Sequence, residues 1–239
     1  AMAKADGSTE VETNQQGQQL GRKGLRTRQK IMEAARKLLE AYSPVELTAV
    51  AIAKEAGTSS ASFYMYFQDV RDVLFALASE AASAMGGVFA VVEKPWEFDL
   101  LHAHALELVE VFNGIWDAHR QILRFRNLEA DRGDPRFEEL RTSTYIPFID
   151  KLARRMLATY PESQQRPTLG QAFAMASVVH AAMERMASTD PAVIARGLGM
   201  RKVNEALAHL ITLSFTAGPP GTQSAPAGKT TRTRRPAAD

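Results

Sequence analysis

From Ile31 to Phe215 the apolar residues recur at three- and four-residue intervals, and no segment alternates with a period of two. That spacing matches the α-helical repeat and not the strand repeat, so each segment buries one helical face against its neighbours. The fold class is therefore all-α, with about nine helices. In the first, Ile31, Ala34, Ala35, Leu38, Leu39 and Tyr42 fall at i, i+3, i+4, i+7, i+8 and i+11. Charged Arg28, Glu33, Arg36, Lys37 and Glu40 take the other positions, which predicts an amphipathic helix over 25–41. Ser43-Pro44 ends it, since proline disfavours a helical residue before it.

Two short helices follow. Thr48 is the N-cap of the first, with Ala49, Ile52, Ala53 and Ala56 as its apolar face and Gly57 closing it. Ser59 or Thr58 caps a third helix over 60–66, and Asp69 caps a fourth running to about 92 unless Gly86-Gly87 bends or ends it. Short helix, glycine turn, short helix is the helix-turn-helix arrangement. Beyond it, Leu101 to Trp116 marks a fifth helix and Ala118 to Phe125 a sixth. Gly133-Asp134-Pro135 is a break, and Phe137 to Met156 a seventh helix that Pro147 kinks or splits. After a loop bounded by Pro161 and Pro167, two last helices cover 168–186 and 191–215.

Charge sharpens this division. The 239 residues hold 29 Lys plus Arg against 27 Asp plus Glu, a formal charge of +2, which excludes a globally basic coat for nucleic acid. The near-neutral total conceals a +3 segment at 21–75, where Arg22, Lys23, Arg26, Arg28 and Lys30 run without an acid. Such a run reads either as a phosphate-seeking arm or as a solvated linker. Residues 76–216 carry −2, and a second basic segment, also +3, lies at 217–239. Residues 1–20 and 217–239 have little apolar surface to offset the entropy of ordering, so both are expected to be disordered. The domain division is then a polar N-terminal segment 1–20, a helix-turn-helix domain 21–75, a helical body 76–216 and a basic tail 217–239.

Several functions are excluded or disfavoured. The chain has no cysteine, which excludes a disulfide scaffold and a thiolate zinc site. No apolar run approaches the roughly 18 residues of a membrane span, so no membrane partner and a cytoplasmic location are expected. His102, His104, His119, His180 and His209 are scattered, and no HExxH, GxSxG or phosphate-loop pattern occurs. No catalytic residue, metal or cofactor is expected.

The block Thr48-x3-Ile52-Ala53-x2-Ala56-Gly57-x-Ser59-x3-Phe63-Tyr64-x-Tyr66-Phe67 resembles the TetR family of transcriptional repressors in residue type and spacing. Thr27-Arg28, Ile31, Ala34-Ala35, Leu38 and Leu74 extend the resemblance over residues 27–74. It implies that Ser59, Ser60 and Ser62 face base edges in the major groove. Thr48, Tyr64 and Tyr66 would contact phosphate, which sets register and not sequence. Arg26, Arg28 and Lys30 would add sequence-independent affinity. The family usually places a lysine three residues after Phe67. Val70 stands there, and Arg71 is the candidate to reach the DNA backbone instead.

The resemblance further implies a body that binds a small molecule and forms a homodimer on double-stranded operator DNA. Small residues at Gly170, Ala172, Ala174, Ala176, Ala181 and Ala182, with a stripe of Met200, Val203, Leu207, Leu210 and Ile211, fit a four-helix dimer interface. An ordinary intramolecular bundle uses the same pattern. Trp96, Phe98, Leu108, Phe112 and Trp116 are candidate effector contacts. Tyr145, Phe148, Met175, Val179 and Met183 join them. Their aromatic and thioether surface suits an apolar or amphipathic effector. Met183-Glu184-Arg185 resembles the ethionamide-resistance type of repressor, which has a large hydrophobic ligand tunnel. Control by a protein partner and a ligand-binding module with lost DNA function remain as alternatives.

Overall fold

The computed structural model describes residues 15–160 and 166–216. The expectations for 1–14, for 161–165 and for the basic tail at 217–239 lie outside the described residues. Among those described, ten α-helical segments and no β-strand are present.

α1 (Arg22–Leu38) is followed by a 3-10 turn at Pro44–Glu46, then α2 (Ala49–Glu55), α3 (Ser60–Tyr66) and α4 (Val70–Ala84). The three caps stand where the sequence puts them. Thr48, Ser59 and Asp69 each accept a hydrogen bond from a backbone N–H three residues on, at 3.1, 3.1 and 2.9 Å. Gly57, with φ +66, makes the turn between α2 and α3, a conformation that side-chain-bearing residues rarely adopt. Ile31, Ala35, Ile52, Ala53, Phe63 and Phe67 are all but fully buried, the core of this small bundle.

Two features differ from expectation at the N-terminal end. α1 begins at Arg22 and not at 25, so most of the basic run at 21–30 is helix. Arg, Lys and Gln are good helix formers, and Gly21 supplies an extended N-cap. Order also begins earlier than expected. The Gln15 amide donates to the Met65 carbonyl at 3.0 Å, which seats the segment before α1 on the end of α3.

The body is built from α5 (Gly86–Glu93), α6 (Leu101–Asp131), α7 (Pro135–Thr159), α8 (Leu169–Ser188), α9 (Pro191–Arg196) and α10 (Met200–Thr216). The expected fourth helix stops at Ala84 and restarts at Gly86, where two glycines are poor helix formers. The expected fifth and sixth helices are one, α6, which leaves helical geometry only at His119 (φ −130°, ψ 16°). α7 runs through Pro147 without splitting. The last expected helix is two, parted at Gly197–Gly199, where Gly199 has φ +79.

By length and composition Val70–Glu93 could cross a membrane, with a mean hydropathy of 1.6 in its most apolar window. It is divided at Met85, and Val73, Leu74, Leu77, Ala78, Ala81, Val88, Val91 and Val92 are core residues. One continuous apolar core runs from Ile31 through α4 and α6 to Phe215. α4 therefore belongs to both parts of the molecule.

Candidate nucleic-acid interface and effector site

Phe63 and Phe67 fix the orientation of α3. Both are buried, with ring centroids 6.0 Å apart, and they leave the opposite face of the helix outward. Ser59 and Tyr64 are exposed, Tyr64 by 53%, and Ser60 and Ser62 are half-buried. Tyr66 is half-buried and packs against the core. Thr48 is exposed at the start of α2. The Thr48 and Ser59 oxygens accept backbone N–H bonds as caps, and each hydroxyl proton is left to donate outward. Thr48, Ser59 and Tyr64 thus present donors suited to phosphate or base-edge acceptors. Met65, 48% exposed on α3, and Val50, 66% exposed on α2, share this surface. Nothing in their residue type marks them as exposed; only the helical rotation set by Phe63 and Ile52 does.

The basic residues divide. Arg26 and Lys30 are exposed on the first turns of α1. Arg28 is half-buried, its guanidinium 5.1 Å from the centroid of the Phe67 ring and its Nη1 3.1 Å from the Met32 sulfur. The sequence predicts a phosphate contact for Arg71. The structure instead directs its guanidinium to Glu129 on α6 and, at 2.8 Å, to Asp134 at the start of α7. Both carboxylates are nearly buried, with side chains 6% and 11% exposed. Opposite charge in a poorly solvated place holds an arginine more firmly than bulk water would. Arg71 is thus a tie between the N-terminal bundle and the body. Arg36 makes a second tie, from α1 to Glu80 on α4.

In the body, four of the ten expected effector contacts, Phe112, Trp116, Phe148 and Tyr145, are linked by ring contacts, Tyr145 through His180. Leu108, Phe112, Trp116, Phe148, Val179 and Met183 are buried. Phe112 lies 6.4 Å from Trp116 and 6.3 Å from Phe148. Tyr145 and Met175 are half-buried and pack against the core. Trp96 sits apart, stacked between His104 at 5.5 Å and Phe215 at 5.1 Å, with Nε1 donating to the Val91 carbonyl. It pins the α5–α6 connection to α10. Phe98 opens a 3-10 turn in that connection and is 43% exposed, so it does not line the buried cluster.

His180 is the residue that sequence reasoning passes over. It is 8% exposed and stands among Tyr145 at 5.4 Å, Phe148 at 5.7 Å and Phe112 at 6.2 Å. Burial holds its pKa below the ordinary histidine value, with Glu184 opposing and Arg126 assisting. Arg126 is itself buried, bonded to Asn127 and 3.5 Å from Glu184. An apolar bed therefore carries one neutral polar ring, beside a compensated ion pair.

Comparison with known families settles the kinship. A family pattern described as bacterial regulatory proteins, tetR family, matches residues 31–77. A second, described as tetracyclin repressor-like, C-terminal domain, matches residues 89–222, more than half of the chain. The chain belongs to the TetR family. Solved structures agree in fold. A TetR/AcrR regulator from Thermobifida fusca is 19% identical with a TM-score of 0.57, over 78% of this chain and 97% of that one. The fatty acid degradation regulator FadR from Bacillus halodurans is 12% identical with a TM-score of 0.55, over 87% and 100%. The SmeT–triclosan complex is 19% identical with a TM-score of 0.54, over 85% and 100%. No curated protein matches.

As in other TetR-family regulators, the helix-turn-helix is N-terminal and the larger helical body follows. On that body α8 carries an outward apolar face, with Phe173 36% and Val178 65% exposed. Leu210 and Leu213 are exposed on α10. The stripe expected at a dimer interface is divided. Val203, Leu207 and Ile211 are buried inside the protomer, where α10 packs on α6, and Leu210 faces out. Ala172 and Ala176 likewise face inward, while Gly170, Ala174 and Ala181 face out.

Proposed function

We propose that this TetR-family protein is a cytoplasmic repressor that binds a palindromic operator as a homodimer and is released by a small apolar or amphipathic effector. The observation that carries the reading is the pairing of an outward hydroxyl face on α3 with ties into the body. Arg71 and α4 connect the DNA-facing bundle to the helices that hold the aromatic cluster. A shift of α6 or α7 around an effector would thus be felt at α3. A ligand that binds the released conformation better, with coupling of about 1–3 kcal/mol, shifts operator affinity roughly 5- to 150-fold.

The dimer rests on the α8 and α10 face. Apolar side chains such as Phe173 and Val178 are costly to leave in water, and pairing two copies buries them. Two recognition helices must also reach successive major grooves, about 34–36 Å apart. The effector class rests on Phe112, Trp116, Tyr145, Phe148 and Met183, with His180 as a single hydrogen-bonding point. Neighbours of the same fold include a complex with triclosan and a regulator named for fatty acid degradation, both consistent with an apolar effector. Native mass spectrometry of protein purified from cells tests the effector. A co-purified apolar compound that weakens binding to the promoter beside the protein's own coding region supports the proposal. Compounds that bind the body without altering DNA affinity refute it.

A further inference from the structure

A cleft of about 320 Å³ lies at the seam between the N-terminal bundle and the body, and none of the aromatic-cluster residues lines it. α1 contributes Arg36, Leu39 and Glu40, α4 contributes Leu77, and α6 contributes residues 117–122. The cleft opens where α6 departs from helical geometry at His119. Its floor is apolar, since Leu39, Leu77 and Ile122 are almost fully buried. Its size is at the small end of ligand pockets, which run about 300–1,000 Å³.

The polar groups around that floor are unequally committed. Arg36 is held by Glu33 and Glu80. Arg120 is held by Asp117 and by the Ala187 and Thr189 carbonyls at the end of α8. Among the described residues, no ion pair or hydrogen bond engages the Glu40 carboxylate or the His119 imidazole. Lys37, one turn before Glu40, is paired with Glu55 and feels Glu40 only as a weaker, more distant charge. Of the two carboxylates and two guanidiniums that line the cleft, Asp117 is committed to Arg120 and Arg36 to Glu33 and Glu80 outside the lining, which leaves Glu40 as the charge with no hydrogen-bonded partner among the described residues.

We propose that this cleft is a binding site for a small organic cation, a protonated amine on a compact apolar body. The apolar body covers Leu39, Leu77 and Ile122. The ammonium donates to the Glu40 carboxylate and to the free imidazole nitrogen of His119. Burial, reinforced by Arg36 and opposed by Glu80, keeps that imidazole neutral and able to accept. An anion would have to displace carboxylates or carbonyls already on the two arginines. A cation held between α1 and α6 would also bridge the two parts of the molecule.

Isothermal calorimetry on the full chain without DNA tests the site. The probes are phenethylammonium, 2-phenylethanol and phenylacetate, which share a skeleton and differ in charge. Phenethylammonium is expected to bind at least about tenfold more tightly than either of the others, and Glu40→Gln to weaken it about tenfold, the scale of one charge-assisted hydrogen bond. Glu40 is exposed, so the variant should melt like the parent. Equal binding of the alcohol, preference for phenylacetate, no effect of Glu40→Gln, or no binding of the amine at millimolar concentration each overturns the proposal. Because operator DNA is absent from this test, its outcome is independent of the repressor reading.

Discussion

Replacing Arg71 by alanine separates two roles for that residue. The guanidinium joins Glu129 and Asp134, whose side chains are 6% and 11% exposed. Removing one partner of a buried ion pair costs roughly 3–5 kcal/mol, because the other charge stays buried and uncompensated. Three features reduce this. The Arg71 side chain is 46% exposed, Glu129 keeps Arg132 at 3.0 Å, and Asp134 keeps Arg136 at 3.7 Å. Solvent screening and the remaining partners bring the expected loss to about 1–3 kcal/mol. At this chain length each kcal/mol lowers Tm by about 2–4 °C. Urea unfolding of Arg71→Ala, Glu129→Gln and the double variant measures the loss and the coupling between the two residues. The second readout is the salt dependence of DNA binding. A guanidinium that neutralised a phosphate would contribute about 0.9 to the log–log slope. A tie within the protein predicts lower stability with an unchanged slope. Stability within about 0.5 kcal/mol of the parent, with a slope shallower by about one, would show that Arg71 works on DNA and that the ion pair is idle.

Three further outcomes are expected. Phe63, on the inward face of α3, is fully buried, so Phe63→Ala should cost about 3–5 kcal/mol in urea unfolding; a loss below about 1 kcal/mol would contradict its place in the core. His119 and His180 both have folded pKa values below the ordinary histidine value, burial being the larger cause in each. The unfolded chain therefore binds protons that the folded chain resists: stability is complete above about pH 6.5 and falls as pH drops below it. His180→Phe should flatten that fall, and an unchanged pH profile would refute the assignment. Val178→Glu places a charge on the outward apolar face of α8 and should convert a dimer to a monomer in sedimentation; a stable dimer in that variant would move the interface elsewhere.

Much of the N-terminal part was readable from the chain, because local signals there suffice. A cap hydroxyl, a positive-φ glycine and an apolar face of Ile52, Ala53 and Phe63 each act within a few residues. The body was less readable. Whether Gly86-Gly87 breaks a helix, or Pro147 does, depends on packing that the sequence does not display. The first pair interrupts α4 from α5, and the second sits inside an unbroken α7. His180 is hidden for the same reason. Nothing near it in sequence announces that Tyr145, Phe148 and Phe112 will surround it from two other helices. Arg71 shows the opposite failure, in which a residue type that suits phosphate is taken up by carboxylates 58 and 63 positions away.

Fluorescence anisotropy of labelled promoter DNA, from beside the protein's own coding region, titrated with the full chain at several salt concentrations, is the decisive measurement. An operator-binding dimer gives saturable, sequence-selective binding by two protomers per site with a steep negative salt slope. Tyr64→Phe, which removes only an outward hydroxyl, should weaken that binding by a similar factor on every sequence tested. Binding that is equal on unrelated DNA, or absent at low salt, would contradict a repressor that acts through α3.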